Sequence, residues 1–294
     1  MKRPTRPVLR YHGGKWKLAP WLLTFFPAHR VYVEPFGGGA SVLMRKPRSY
    51  AEVYNDLDDE IVNVFRVLRE PATAEALRSA VALTPFSRTE FRASYGPPPA
   101  DPVERARRIV VRSCMGFGSA AVNRDHRTGF RANSNRSETT PAHDWVNWPH
   151  SVDGYVERLR GVVIENHDYR RVIAQHDSAR TLFYLDPPYP FATRSFPRGA
   201  VNPFCYRHEM QDDDHRELAV MLRGVAGMVV LSGYPCDLYD LELYPDWERR
   251  QVRAHAGGKV QSVRTEVVWL NAACAAALRG PGQHAFDLTP AVSQ

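Results

Sequence analysis

Cysteine is scarce in this chain, and lysine more so. Cys114, Cys205, Cys236 and Cys274 stand more than 30 residues apart and form no Cys-x-x-Cys pair. That spacing argues against both a zinc cluster and a disulfide scaffold. No metal-spaced His/Cys group is present among the 11 histidines either, so no metal is expected. No run approaches the ~18–20 apolar residues of a membrane span. The segment Met1–Arg10 carries three Arg and one Lys with no apolar stretch behind them. It does not read as a secretory signal, and the expected location is cytoplasmic, without membrane contact. The chain also lacks the Gly-Lys-Ser/Thr of a phosphate-cradling loop and the Gly-x-Gly-x-x-Gly of a dinucleotide site.

What remains is of ordinary globular composition, 294 residues with 44% hydrophobic and 24% charged side chains. That excludes wholesale disorder, collagen and coiled coil, and it allows one large domain or a domain carrying an insertion. The formal charge is +7, and lysine supplies only five of the 39 basic residues, leaving 34 arginines. The arginine fork suits phosphates and guanine edges, which leans towards nucleic acid. A GC-rich genome gives the same bias without any function.

Short apolar runs recur with turns or glycines after them: Arg30–Val33, Ser49–Tyr54, Gly161–Ile164, Thr181–Leu185, Met228–Leu231 and Thr265–Leu270. Continuous apolar runs of this length suit strands covered on both faces. Helical patterns alternate with them. Leu57, Ile61, Val64, Phe65 and Leu68 share a face, with Asn55 or Asp56 as cap, and a second helix runs from Asp212 to Gly224. The fold class expected is therefore α/β. The rhythm breaks between about 71 and 160, across Gly96-Pro97-Pro98-Pro99, a helix at Val103–Arg112 and a polar loop from Asn123 to Thr140. Residues 88–136 hold ten Arg against four acids, a surplus that marks a candidate nucleic-acid surface or, more blandly, a solvated helical cap.

The densest chemistry lies at Asp186-Pro187-Pro188-Tyr189, directly after the apolar run Thr181–Leu185. Two prolines cannot continue a ladder, so the strand ends there in a stiff turn. Ligands of open α/β sheets bind at such carboxyl ends. A carboxylate and a proline carbonyl can accept two N–H bonds in the plane of a base while an aromatic ring stacks on its face. By the chain's own frequencies the tetrapeptide would arise by chance in about one of two hundred such chains. Elsewhere Val31-Tyr32-Val33-Glu34-Pro35-Phe36-Gly37-Gly38-Gly39-Ala40 runs from strand to glycine turn to a helix over Ala40–Arg45, a place for a cofactor to approach the backbone. Asp56 ends the second strand, where a carboxylate can take both ribose hydroxyls or simply cap a helix. Tyr11-His12-Gly13-Gly14-Lys15 precedes another helical stretch and suits an anionic group.

Taken together, Tyr-x-Gly-Gly-Lys at 11–15, Glu-Pro-Phe-x-Gly at 34–38, Asp56 and Asp-Pro-Pro-Tyr at 186–189 resemble the Dam-type DNA adenine-N6 methyltransferases, in their order. Asn166-His167-Asp168, Leu231-Ser232-Gly233-Tyr234 and Arg264–Leu270 are similar to that family's later segments. The resemblance covers residues 10–56 and 162–271, with only Arg112–Gly118 and Gly129-Phe130-Arg131 between; Ala40 stands where many members carry glycine.

The resemblance implies a Rossmann-like methyltransferase sheet with helices on both faces, built from 1–56 and 161–294, and a mostly helical target-recognition insertion over 57–160. It implies S-adenosylmethionine as cofactor, touched by Tyr11, Lys15, Asp56 and Asp186, with Phe36 and Gly38 as floor and Asp168 near the adenine. It implies catalysis by Asp186, Pro187, Pro188 and Tyr189, with the amine hydrogens on the Asp186 carboxylate and the Pro187 carbonyl. Methyl transfer would be direct and in line, to a base flipped out of the duplex and stacked on Tyr189. Double-stranded DNA is the expected partner, touched through Arg112, Arg124, Arg127 and Arg131, and a restriction endonuclease is a further partner in such systems. Methylation of cytosine N4 or of RNA, or a catalytically idle nucleic-acid-binding relative, are the alternatives the residues leave open.

Overall fold

The computed structural model describes residues 4–133, 139–194, 205–255 and 263–280. The elements run α1 (Ala19–Leu23), β1 (Val31–Glu34), α2 (Ser41–Arg45), β2 (Ala51–Asn55), α3 (Asp59–Arg69), α4 (Pro71–Leu83), α5 (Arg88–Ala93) and α6 (Pro102–Met115). Then come α7 (Pro141–Val146), α8 (Val152–Leu159), β3 (Val162–Glu165), α9 (Tyr169–His176), β4 (Thr181–Leu185), α10 (Asp212–Arg223), β5 (Met228–Gly233), β6 (Glu248–His255), β7 (Val263–Leu270) and α11 (Ala272–Arg279).

Seven strands form one sheet in the order β3-β2-β1-β4-β5-β7-β6. The first five run parallel, while β7 is antiparallel to β5, and β6 to β7. Strand order reverses between β1 and β4, which pair side by side although three helical stretches and two strands separate them in sequence. Ligands of open α/β sheets bind at such a switch point.

Alternate residues of the central strands feed two cores. Tyr32, Tyr54, Leu182, Tyr184, Val230 and Val268 face one, with α1–α4, α6, α8 and α11. Val33, Val53, Phe183, Leu185, Val229, Leu231 and Trp269 face the other, with α9 and α10. This is the period-two alternation of a sheet packed on both sides, and it accounts for apolar runs without polar relief. The helices between β2 and β3 continue the first core without a break, since Val62, Leu77, Val110 and Trp148 belong to the same cluster as Tyr32.

Local chemistry differs from expectation in places. The cap of α3 is Asp58, which accepts from Glu60 N at 3.0 Å, rather than Asn55 or Asp56, and Leu57 lies outside the helix and is 47% exposed. An Asx-type cap needs its own residue extended and the next turn helical, and only Asp58 meets both conditions. Asn55 instead ties strand ends together, donating to the Pro35 and His167 carbonyls at 2.8 and 2.9 Å and accepting from His167 N at 2.9 Å. Helix α2 starts at Ser41 because Ala40 sits at φ 52°, in the left-handed region. Strand β6 has no counterpart among the sequence's apolar runs. Its sequence, Glu-Arg-Arg-Gln-Val-Arg-Ala-His, is charged because it is an edge, and charge on an edge blocks pairing with other chains. Among the described residues no helix is long and apolar enough to cross a membrane.

Candidate active site

The carboxyl ends of β1, β2 and β4, with the turn at residues 11–15, enclose a cavity of about 190 Å³. Tyr11, Lys15, Phe36, Gly38, Asp56, Asp168 and Asp186 all line it, so residues scattered over more than 170 positions meet at one site. Pro188 lines it as well; Pro187 is buried beside it.

The glycine bend after β1 is shaped by its neighbours. A Cβ on Gly37 would lie 2.2 Å from the Tyr54 ring and 2.9 Å from the Asn55 carbonyl, so only glycine fits. Gly38 adopts φ 45° and presses against the Tyr11 ring, while its N–H donates to Asp56 Oδ2 at 2.7 Å. The other Asp56 oxygen accepts from Asp58 N at 2.9 Å. Each oxygen keeps a further lone pair for a ligand. Burial raises the Asp56 carboxyl to about 6, against the backbone N–H groups of Asp58 and Gly38 that pull it down.

Glu34 ends β1 in the same wall. Its Oε1 accepts from the Tyr32 hydroxyl at 2.6 Å and from Leu43 N at 2.8 Å, while its Oε2 is buried without a partner. Burial pushes this carboxyl up to about 7, although Tyr32, Leu43 N, Lys46 and Arg158 all draw it down. A buried acceptor left unmatched costs about 1–3 kcal/mol. The phenylalanine of the same motif, Phe36, packs on Tyr169 with ring centroids 5.0 Å apart and 34° between planes, giving the cavity an aromatic side.

At the end of β4 the Asp186 carboxylate is fixed from two sides. Lys15 Nζ donates to Oδ2 at 2.9 Å and the Ser232 hydroxyl donates to Oδ1 at 2.9 Å. Lys15 is 5% exposed, also donates to the Gly13 carbonyl at 2.7 Å, and lies 3.5 Å from Glu266. Burial works against its charge, but Asp186 and Glu266 outweigh it and hold the ammonium well above its usual range. Lys15 is thus committed to the carboxylate of the corner, where the sequence had suggested a free anion-binding group.

Tyr189 departs from expectation. Its ring is 8% exposed and does not line the cavity; the hydroxyl donates to Glu266 Oε1 at 2.5 Å and the ring meets Tyr234 edge-on at 4.8 Å. It braces the corner in this structure and offers no open stacking face. Asp168 caps α9, accepting from Arg170 N at 2.8 Å, and remains exposed at the cavity rim.

The arginines divide. Arg112 is 2% exposed, donating to Glu60 at 2.9 Å and to the Ser94 and Val122 carbonyls at 2.6 and 3.1 Å. It cannot reach DNA: α6 turns it inward, where it ties α6 to α3. Arg124 is half-buried and 3.6 Å from the same Glu60, and Arg131 donates to the Cys114 carbonyl at 2.9 Å. Arg127 is exposed.

The sequence reading passed over Glu34, Ser232 and Glu266 as individual functional residues. Glu34 and Ser232 are polar residues within otherwise apolar strands, Glu266 follows Arg264 and Thr265 in β7, and all three are buried, at 2%, 0% and 4% exposure. A lone acid in Val-Tyr-Val-Glu or Thr-Glu-Val-Val-Trp-Leu was the available signal. The charge of the cavity is also at odds with that of the chain. Seven acids line it, Glu34, Asp56, Asp58, Asp168, Asp186, Glu209 and Asp214, against Lys15, Arg170 and Arg207, in a protein of formal charge +7.

A mixed α/β sheet thus gathers a glycine bend, an acidic strand tip and a carboxylate-bearing proline corner into one cavity. Residues 11–95 match the family model of D12 class N6 adenine-specific DNA methyltransferases, in agreement with the Dam-type resemblance of the motifs. No curated protein matches the chain. Methyltransferases of that kind act on adenine in DNA and use S-adenosylmethionine.

Proposed function

We propose that this protein methylates the N6 amine of adenine in double-stranded DNA with S-adenosylmethionine as methyl donor. The observation that carries this is the single cavity joining the bend at Gly37–Gly39 to the corner at Asp186 and Pro188. The residues present fit the cofactor. Its ammonium and sulfonium suit an acid-rich lining and the unmatched Glu34 Oε2, and its ribose hydroxyls suit the spare lone pairs of Asp56. Phe36 and Gly38 form the floor, Tyr11 closes the bend and Asp168 is at the rim. When bound, the cofactor supplies an electrophilic methyl group on a positively charged sulfur.

The chain's own residues orient the amine. The exocyclic nitrogen of adenine is a poor nucleophile because its lone pair is delocalised into the ring. Asp186 accepts one amine hydrogen and the Pro187 carbonyl the other, which favours a pyramidal nitrogen. Lys15 and Ser232 keep the carboxylate from rotating, so orientation is set before the base arrives. A paired base cannot enter such a corner, so the adenine is flipped from the duplex. The segment 57–160 supplies target recognition, with Arg124, Arg127 and Arg131 towards the DNA.

Asp186→Ala tests the reading. Transfer of labelled methyl groups to duplex DNA is expected to fall about 10³-fold or more. Turnover within tenfold of the unaltered protein would remove Asp186 from the chemistry.

A further inference from the structure

Behind the corner lies a second carboxylate, which does not line the cavity. Glu266 sits mid-strand on β7, opposite Val252 of β6, and is 4% exposed. It accepts from the Tyr189 hydroxyl at 2.5 Å and stands 3.5 Å from Lys15 Nζ. Lys15 in turn holds Asp186 at 2.9 Å, and its ammonium lies 4.9 Å from the Tyr189 ring centroid. One ammonium therefore serves two carboxylates, Asp186 open to the cavity and Glu266 sealed behind it.

Resting on the function proposed above, we infer that Glu266 is a positioning residue of methyl transfer: it shares the charge of Lys15, so that the Asp–Lys–Glu triad carries a net negative charge facing the amine. Were Lys15 paired with Asp186 alone, the two would cancel, and the corner would be a weak acceptor for amine hydrogens. With Glu266 in place the set has one anion to spare, and of its two carboxylates only Asp186 reaches the cavity, which Lys15 lines as well. That surplus attracts the cationic cofactor and stabilises the positive charge that develops on the amine nitrogen as the methyl group arrives. Burial pushes the Glu266 carboxyl up from its ordinary range, and the Lys15 ammonium and the Tyr189 hydroxyl, both in contact with it, pull towards the charged form. Tyr184, Tyr206 and Tyr239 lie within the field of Asp186, which adds to burial in raising their hydroxyls, and burial, with help from Lys15, lowers the His12 imidazole to about 4.

Charge can be separated from bracing by comparing two cofactor forms that differ in one positive charge. The dissociation constants of S-adenosylmethionine and S-adenosylhomocysteine are measured by calorimetric titration for the unaltered protein, Glu266→Gln and Tyr189→Phe. A unit charge acting over roughly 10 Å at an effective dielectric of about 20 changes binding by about tenfold. Glu266→Gln is therefore expected to lose about tenfold in its preference for the sulfonium over the thioether, and to slow single-turnover transfer by a similar factor. Tyr189→Phe cuts the same tie without removing the charge, and is expected to keep the preference of the unaltered protein. An unchanged preference in Glu266→Gln, or an equal change in both variants, would overturn the inference. Should Glu266→Gln not fold, Glu266→Asp carries the test: it retains the charge and is expected to retain the preference, and a loss there refutes the role. Failure of the unaltered protein to bind either compound would instead overturn the proposed function itself.

Discussion

Replacing Glu34 with glutamine is expected to stabilise the protein in the absence of cofactor while weakening its hold on a cation. The carboxyl moves from an ordinary 4.5 to about 7 because burial opposes its charge. At about 1.4 kcal/mol per pH unit, that amounts to about 3 kcal/mol. The sign follows from proton binding. Between pH 4.5 and 7 the folded protein keeps the Glu34 proton and the unfolded chain has lost it. Stability therefore falls as pH rises through this window and levels off above it. Glutamine keeps an oxygen for the Tyr32 hydroxyl and Leu43 N–H, and it removes the charge. Its amide N–H groups occupy the place of the unmatched Oε2, at a cost of about 1–3 kcal/mol, so the net gain above pH 7 is about 1 kcal/mol. In a chain of this size that raises the melting temperature by about 2–4 °C. Scanning calorimetry at pH 4.5 and pH 8 reads it: the variant gains on the unaltered protein with rising pH. A gap that does not change with pH, or a variant much less stable at pH 8, would refute the reasoning. Affinity for S-adenosylmethionine is expected to rise with pH up to about 7 in the unaltered protein, and to level off earlier in Glu34→Gln, where Asp56, raised to about 6, still titrates.

Three other outcomes follow from the packing and the charge. Arg112→Met takes from Glu60 its nearer cation and leaves two buried carbonyls without that donor, so a loss of about 3 kcal/mol in urea unfolding is expected; reduced DNA affinity at unchanged stability would return Arg112 to the interface. Gly37→Ala places a methyl group within 2.2 Å of the Tyr54 ring, and the overpacking is expected to cost about 1–3 kcal/mol together with cofactor affinity; an unperturbed variant would mean that the bend relaxes freely. Arg127→Glu is expected to weaken DNA binding and to lower the slope of log affinity against log salt by about one, whereas an unchanged slope would move the DNA surface elsewhere.

The parallel half of this architecture was legible because its strands are sealed on both faces and must read as apolar runs. Thr181–Leu185 coincides with β4 to the residue. Strand β6 was hidden by the same physics in reverse, since an edge is charged. The corner at Asp186 was legible because two prolines stop a strand whatever surrounds them. Residues whose roles depend on their surroundings were misread or read in part: Lys15 without its carboxylate partner, Arg112 as a DNA contact and Tyr189 as an open ring. In each, a partner distant in sequence decides the outcome, Asp186 for Lys15, Glu60 for Arg112 and Glu266 for Tyr189. No local pattern encodes such pairings. The acid-rich cavity was concealed for the same reason, because seven acids contributed by separate segments vanish into a basic average.

The proposed function turns on which atom receives the methyl group. Duplex DNA incubated with the protein and S-adenosylmethionine can be digested to nucleosides and resolved by mass spectrometry against methylated standards. N6-methyladenine is the product expected, and it should be absent when Asp186→Ala replaces the unaltered protein. N4-methylcytosine, or no modified base on any duplex offered, would contradict the assignment.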